Sequence, residues 1–200
     1  VLTTAGDDAR SRAKTALERH AAFFDPDASG VIGWDETWAG LRSLGVPWRY
    51  RVLLTPIING FLGYLTQRKL TFDIVVAKIT DGKHPYDTGV FADDGTIDES
   101  AFDEVVRAAT HGALTERELR ALIVGRGNRR PKMGKVAGVL GKWFSAREVG
   151  LLFCLAADTK KKEHGREVPA IRTRTLRRFY DGTLLPTLAR RQRISRARRA

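Results

Sequence analysis

Asp25, Asp27, Ser29 and Glu36 place side-chain oxygens at positions 1, 3, 5 and 12 of one run, Asp25-Pro26-Asp27-Ala28-Ser29-Gly30-Val31-Ile32-Gly33-Trp34-Asp35-Glu36. This is the spacing with which an EF-hand wraps a hard cation in oxygens. Asp25, Asp27 and Ser29 would supply one face of the shell, the carbonyl of Val31 the turn, and Glu36 both carboxylate oxygens from the opposite face. Gly30 stands at position 6, where the chain reverses in a conformation that a β-carbon resists. Gly33 at position 9 has no side chain, so water takes that ligand place. The plainer reading is a solvated Asp/Gly turn. The complete ligand register between two amphipathic segments favours calcium.

Those segments are the elements that must hold the loop. Ala13, Leu17, Ala21 and Phe24 recur at helical spacing upstream, and Trp38, Leu41 and Leu44 downstream. The pattern predicts a helix from Asp8 to Phe24 and another from the loop to about Leu44. EF-hands pair through the strand at position 8, so a partner loop is expected. Asp93-Asp94-Gly95-Thr96-Ile97-Asp98-Glu99 has the required shape. Aligning Gly95 with position 6 puts Val90, Ala92 and Ala101 at positions 1, 3 and 12, which removes the ligands. A third stretch, Asp158 to Val168, carries Gly165 and Val168 in a loop swollen by Lys160, Lys161 and Lys162. One metal site with degenerate partner loops as scaffold follows.

Farther along, Val52 to Leu65 is uncharged and contains Pro56, Gly60 and Gly63. It is too short to span a bilayer as a helix. Trp48, Arg49, Tyr50, Arg51, Arg68 and Lys69 flank it as an interfacial anchor would, and a buried helical hairpin fits the segment equally well. Leu70 to Ile79 suits a short strand or a buried helix. Ser100 caps a helix to Ala109, Thr115 and Glu118 form a capping box for one to Val124, Gly125 to Gly134 is a basic loop, Trp143 to Ala157 is an apolar helix, and Arg172 to Tyr180 is the last clear helix. The fold class expected is mainly α: an EF-hand-based helical domain with degenerate partner loops and a short apolar, proline-containing segment.

The chain has 200 residues, enough for one sizeable domain, and its 42% hydrophobic content suits a folded soluble protein. The single cysteine, Cys154, excludes an internal disulfide and is expected in packed core. Residues 1–20 lack the apolar stretch of a secretory signal, so an intracellular setting is the default. The net charge of +12 is uneven. Residues 1–100 carry 11 Lys and Arg against 14 Asp and Glu, and residues 101–200 carry 24 against 9. Arg190, Arg191, Arg193, Arg196, Arg198 and Arg199 make a tail suited to anionic surfaces, or equally a solvated, disordered end. No nucleic-acid reader module accompanies the charge, which argues against nucleic acid as partner. The dinucleotide, phosphate-loop, zinc and serine-hydrolase signatures are all missing from the sequence.

The collinear order of several pieces resembles the caleosin family of plant and fungal peroxygenases. His20-Ala21-Ala22-Phe23-Phe24-Asp25 leads into the loop, and Trp34-Asp35-Glu36-Thr37 follows. The apolar segment, Ala77-Lys78-Ile79-Thr80-Asp81-Gly82-Lys83-His84, Phe102-Asp103-Glu104, Leu114-Thr115-Glu116-Arg117-Glu118-Leu119, a Trp143-centred helix and Phe179-Tyr180-Asp181-Gly182-Thr183-Leu184 come after it. The resemblance covers nearly the whole chain. It implies a single domain over 1–200: an EF-hand to 45, an apolar, membrane-facing segment over 46–80, a helical half over 81–185 and a basic tail over 186–200.

It also implies calcium and haem as cofactors, and transfer of oxygen from a hydroperoxide to unsaturated fatty acids or similar lipids. His20 and His84 match the family's two haem-linked histidines; on the bare residues each reads as well as a packed or loop histidine. His111 and His164 have no such match and are expected at the surface. Pro47 and Pro56 do not form the tight proline cluster of oil-body members, so peripheral binding to an anionic membrane or lipid-droplet surface is expected instead of stable insertion. The rival reading is a non-enzymatic, calcium-binding peripheral membrane or lipid-droplet protein. Oligomeric state is not legible.

Overall fold

The computed structural model describes residues 15–83, 86–127 and 134–198, with backbone alone at 134–138 and 140. The described chain is mainly helical, as expected, and divides into two compact units. One comprises Val1–Gly82, Asp93–Thr96 and Phe179–Ala200; the other comprises Lys83–Ala92 and Ile97–Arg178.

In the first unit, helix α1 (Ala16–Ala21) starts at a capping box in which the Thr15 hydroxyl accepts from the Glu18 amide and the Glu18 carboxylate accepts from the Thr15 amide. The expected start at Asp8 lies outside the described residues. A 3-10 turn (Ala22–Phe24) delivers the chain to the loop, strand β1 (Val31–Ile32) crosses it, and α2 (Trp34–Ser43) leaves it. Ala16, Leu17, Ala21, Ala22, Leu41 and Leu44 are buried, the faces that helical spacing selects.

The strand partner differs from the expected one. β1 pairs antiparallel with β2 (Ile74–Val75), Ile32 opposite Ile74 and Val31 opposite Val75. Asp93–Glu99 instead turns back on the residues just before it: Ile97 bridges Phe91, the Asp98 amide donates to Val90 O at 2.8 Å, Asp94 Oδ1 accepts from the Thr96 amide, and Asp98 caps the next helix. The physical reason is prior commitment. Thr96 and Ile97 are β-branched too, but Thr96 is bonded to Asp94 and Ile97 bridges Phe91, which leaves Ile74 and Val75 to pair with β1.

The apolar segment is neither a hairpin nor a uniformly greasy rod. It is one helix, α3 (Trp48–Gln67), with Pro56 inside. Its buried face is mostly small and polar: Thr55 and Asn59 are 0% exposed, and Gly63 and Thr66 are buried with them, beside the one large apolar residue Leu65. Its open face is apolar, with Trp48 67% and Leu53 60% exposed beside Tyr50, Val52 and Tyr64. The inward face grips the β2 segment. Asn59 Nδ2 donates to Phe72 O at 2.7 Å, Gln67 Nε2 to Asp73 O at 2.7 Å, and the Val75 amide to Thr66 Oγ1 at 3.3 Å. A 3-10 stretch (Val76–Gly82) follows β2. The arginine-rich end forms helix α8 (Leu184–Ala197) with Leu184, Leu185 and Ala189 buried, so of its two readings the disordered end does not describe residues 184–197.

The second unit repeats the helix–loop–helix theme. Helix α4 (Glu99–Ala108) is capped by Asp98, not Ser100, because the Asp98 carboxylate reaches the Ala101 amide at 3.0 Å. A short strand β3 (Ala113–Thr115) precedes α5 (Glu116–Arg126), which has the expected Thr115–Glu118 capping box. After α6 (Gly134–Ala156), the swollen third loop is a hairpin, β4 (Thr159–Glu163) and β5 (Arg166–Arg172). The sheet order is β3-β5-β4, with Leu114 opposite Ile171, so Ile171 and not Val168 holds the central pairing place. His164 and Gly165 both have positive φ, as a two-residue turn with right-handed strand twist requires. Helix α7 (Thr173–Tyr180) follows. Cys154 is exposed, not packed, because the helical period turns Val149, Phe153 and Ala156 inward instead. His111 and His164 are exposed, as expected.

A β-carbon at Gly63 would fall 2.6 Å from Thr71 O, a backbone atom that cannot step aside. Gly63→Ala is expected to lower the unfolding free energy by about 1–3 kcal/mol, measured by urea denaturation, while Gly125→Ala, whose added carbon meets open space, leaves stability unchanged or raises it.

Candidate metal and cofactor site

The loop is built around three carboxylates. Oxygens of Asp25, Asp27 and Glu36 lie within 4.8 Å of one another. Asp25 is buried where the 3-10 turn ends, and its Oδ1 and Oδ2 accept from the Ser29 and Gly30 amides, each at 3.0 Å. Asp27 is exposed and also accepts from the Ser29 amide at 3.0 Å. Ser29 Oγ donates to Val31 O at 3.0 Å, so hydroxyl and carbonyl of positions 5 and 7 adjoin. Gly30 adopts φ +80°, the reversal its position demands.

Glu36 closes the loop from the first turn of α2. Its Oε2 accepts from the Gly33 amide at 2.8 Å, while Oε1 is buried with no hydrogen-bond partner. An orphaned carboxylate oxygen costs desolvation energy that a cation would offset, so the donor set fits a hard ion. Across the pairing, the Val76 amide donates to Gly30 O at 2.9 Å, and Asn59 Nδ2 reaches Ile32 O at 3.4 Å. The loop is therefore braced by β2 and α3. Asn59 gave no functional signal in the sequence beyond being the one amide in an apolar run.

Charge agrees with geometry. Burial pushes the Asp25 carboxyl up, and the neighbouring Asp27 adds to that. Burial likewise raises Glu36, with Asp27, Asp25 and Asp35 contributing. Asp27 is held below its usual value by the Ser29 amide.

Of the two candidate cofactor histidines, His84 lies outside the described residues. His20 sits in the last turn of α1, five residues before Asp25. Its Nδ1 is 3.1 Å from Phe179 O, and the Phe179 ring meets it edge-on at 4.6 Å between centroids. Arg19 Nε reaches Asp181 O at 3.4 Å, and Gly182, at φ +79°, lies so close that a β-carbon there would be 2.9 Å from His20 N. The Phe179–Leu184 segment is thus a backbone rest for the His20 turn. Its six-residue motif was visible in the sequence, but not its target 159 residues away.

A loop of EF-hand register whose three carboxylates could hold a metal ion, braced by a second helix–loop segment through a two-residue ladder, marks an EF-hand-type protein. The chain matches the family model described as "Caleosin related protein" over residues 12–189, and it belongs to the caleosin family. It is 31% identical to an Arabidopsis thaliana protein named "Probable peroxygenase 4" over 187 residues, 90% of this chain and 88% of that one. It is 28% identical to a Lilium longiflorum protein named "Peroxygenase", over 92% of this chain and 73% of that one. No solved structure matches the chain.

Glu36→Gln is expected to weaken calcium binding by about tenfold to a hundredfold or more, since disturbing even a supporting ligand shell costs that much. Acid acts in the same direction. The raised Asp25 and Glu36 take up protons as pH falls through their folded-state values, so titration calorimetry at pH 5 gives weaker binding than at pH 7. In the ion-free protein the sign reverses. The stability these groups contribute is complete below the ordinary carboxylate range and lost as pH rises through the raised values, so added calcium stabilises most at neutral pH.

Proposed function

We propose that the protein is a calcium-binding, haem-dependent peroxygenase that transfers oxygen from a hydroperoxide to unsaturated fatty acids or similar lipids. The observation that carries this reading is caleosin membership along nearly the whole chain, together with relatives named peroxygenase. The chain would act as a single caleosin-like domain.

Asp25, Asp27, Ser29, the Val31 carbonyl and Glu36 would hold the calcium. It would neutralise carboxylates that otherwise repel, and so fix the end of α1. His20 and His84 would hold the haem, which when bound supplies the redox chemistry of oxygen transfer. His20 suits that role by its support. Donation from Nδ1 to the Phe179 carbonyl selects the tautomer whose lone pair is on Nε2, the arrangement usual for a metal-ligating histidine. The Phe179 edge and the Gly182 backbone then hold the ring's orientation.

The apolar face of α3 supports a lipid surface as partner. Trp48, Tyr50, Val52 and Leu53 stand open, with Leu70 99% exposed at the helix's far end beside Arg68 and Lys69. Among the described residues, no helix is long and apolar enough to cross a membrane. The reading is therefore peripheral attachment to an intracellular membrane or lipid droplet, aided by anionic headgroups.

The test is oxidation of an unsaturated fatty acid by haem-loaded protein, with and without an organic hydroperoxide, alongside the visible spectrum. Hydroperoxide-dependent epoxide and a Soret band, both lost in His20→Ala, are expected. A folded protein that stays colourless with added haem favours the non-enzymatic, lipid-surface reading instead.

A further inference from the structure

Residues 107–118 repeat the register of the first loop but keep only the last of its acids. Gly112 stands at position 6 with φ +70°, where Gly30 has φ +80°. Ala113 takes position 7, Leu114 position 8 and Glu118 position 12. Leu114 pairs antiparallel with Ile171, as Ile32 does with Ile74. The Thr115 amide donates to Glu118 Oε2 at 2.8 Å, the distance of the Gly33–Glu36 bond. At positions 1, 3 and 5, however, Arg107, Ala109 and His111 replace Asp25, Asp27 and Ser29.

The space a cation would fill is taken. Lys161 Nζ lies 2.7 Å from both Glu118 Oε1 and Oε2, 2.7 Å from Thr110 Oγ1 and 3.1 Å from Ala113 O. It thus meets the bidentate position-12 carboxylate and the position-7 carbonyl, which are the ligands calcium takes from this part of an EF-hand. The Lys161 side chain is only 13% exposed. It arrives on β4 from the hairpin that swells the third loop. That loop is closed internally too: Asp158 accepts from the Arg172 amide at 2.9 Å and from Thr175 Oγ1 at 2.8 Å.

We propose that the Lys161 ammonium is a tethered replacement cation in a second EF-type loop, so that this loop stays cation-filled, and β3 paired with β5, whatever the calcium concentration. Charge supports the geometry. Burial acts to raise Glu118, but Lys161 and the Thr115 amide outweigh it and hold the carboxyl below its usual value. The loop's closing carboxylate is thereby kept ionised against its permanent partner. A lysine suits this role because its compact charge on a long stem fills a site that two missing acids leave too weak for a divalent ion.

Amide hydrogen exchange on the full chain tests this. In the unchanged protein, β3 and β5 amides are expected to exchange equally slowly in calcium and in chelator, while β1 and β2 amides exchange faster in chelator. Lys161→Met keeps the apolar stem and removes the charge. It is expected to speed β3 and β5 exchange by about a hundredfold or more, the scale of breaking a buried ion pair. Protection at β3 and β5 that falls on chelation in the unchanged protein overturns the proposal, and so does full protection in Lys161→Met. Should the variant not fold, the comparison in the unchanged protein decides.

Discussion

Three carboxylates gathered within 4.8 Å repel one another, and the surrounding structure exists to hold them together. Asp25 is fixed by two backbone amides, Glu36 by the first turn of α2, and the strand between them by Ile74 and Val75. The β2 segment is gripped in turn by the polar side of α3. That requirement explains why a helix with so apolar a composition hides Asn59 and Thr66 and leaves Trp48 and Leu53 in the open. One electrostatic problem therefore shapes the ladder, the polar seam beneath it and the apolar face left open to solvent.

The clustering of Asp25, Asp27 and Glu36 was legible because a hard cation demands oxygens at fixed intervals, and chemistry of that kind writes itself into residue types. The pairing was not. Asp93–Glu99 has the glycine and acids of a loop, yet Ile74–Val75 does the pairing with no signature beyond two β-branched residues. Composition also misjudged Cys154 and left the arginine-rich end undecided. An apolar run does not say which side of a helix faces in, and Leu184, Leu185 and Ala189 order a helix that its charges obscured. Glu118 was read as a capping residue, which it is. Its second role needed the register Gly112, Leu114, Glu118 to be set beside Gly30, Ile32, Glu36, and it needed Lys161 from a distant strand.

The two loops solve one problem in different ways. The first assembles several acids and suits an exchangeable ion, so its stability would depend on that ion and on pH. The second keeps one acid and supplies its own cation. Within the first unit, His20 stands on the element that the exchangeable ion would stabilise, with Phe179 and Gly182 steadying it from the C-terminal segment. Under the proposed function calcium would serve as a clamp for a cofactor-bearing helix, not as a signal that opens a hydrophobic groove.

Under the proposed function, an ion in the loop and haem at His20 would stabilise each other. A haem titration followed at the Soret band, in saturating calcium and in chelator, measures that coupling. Weaker haem binding in chelator is expected, with the difference abolished by Glu36→Gln. Equal haem affinity with and without calcium would rule the coupling out.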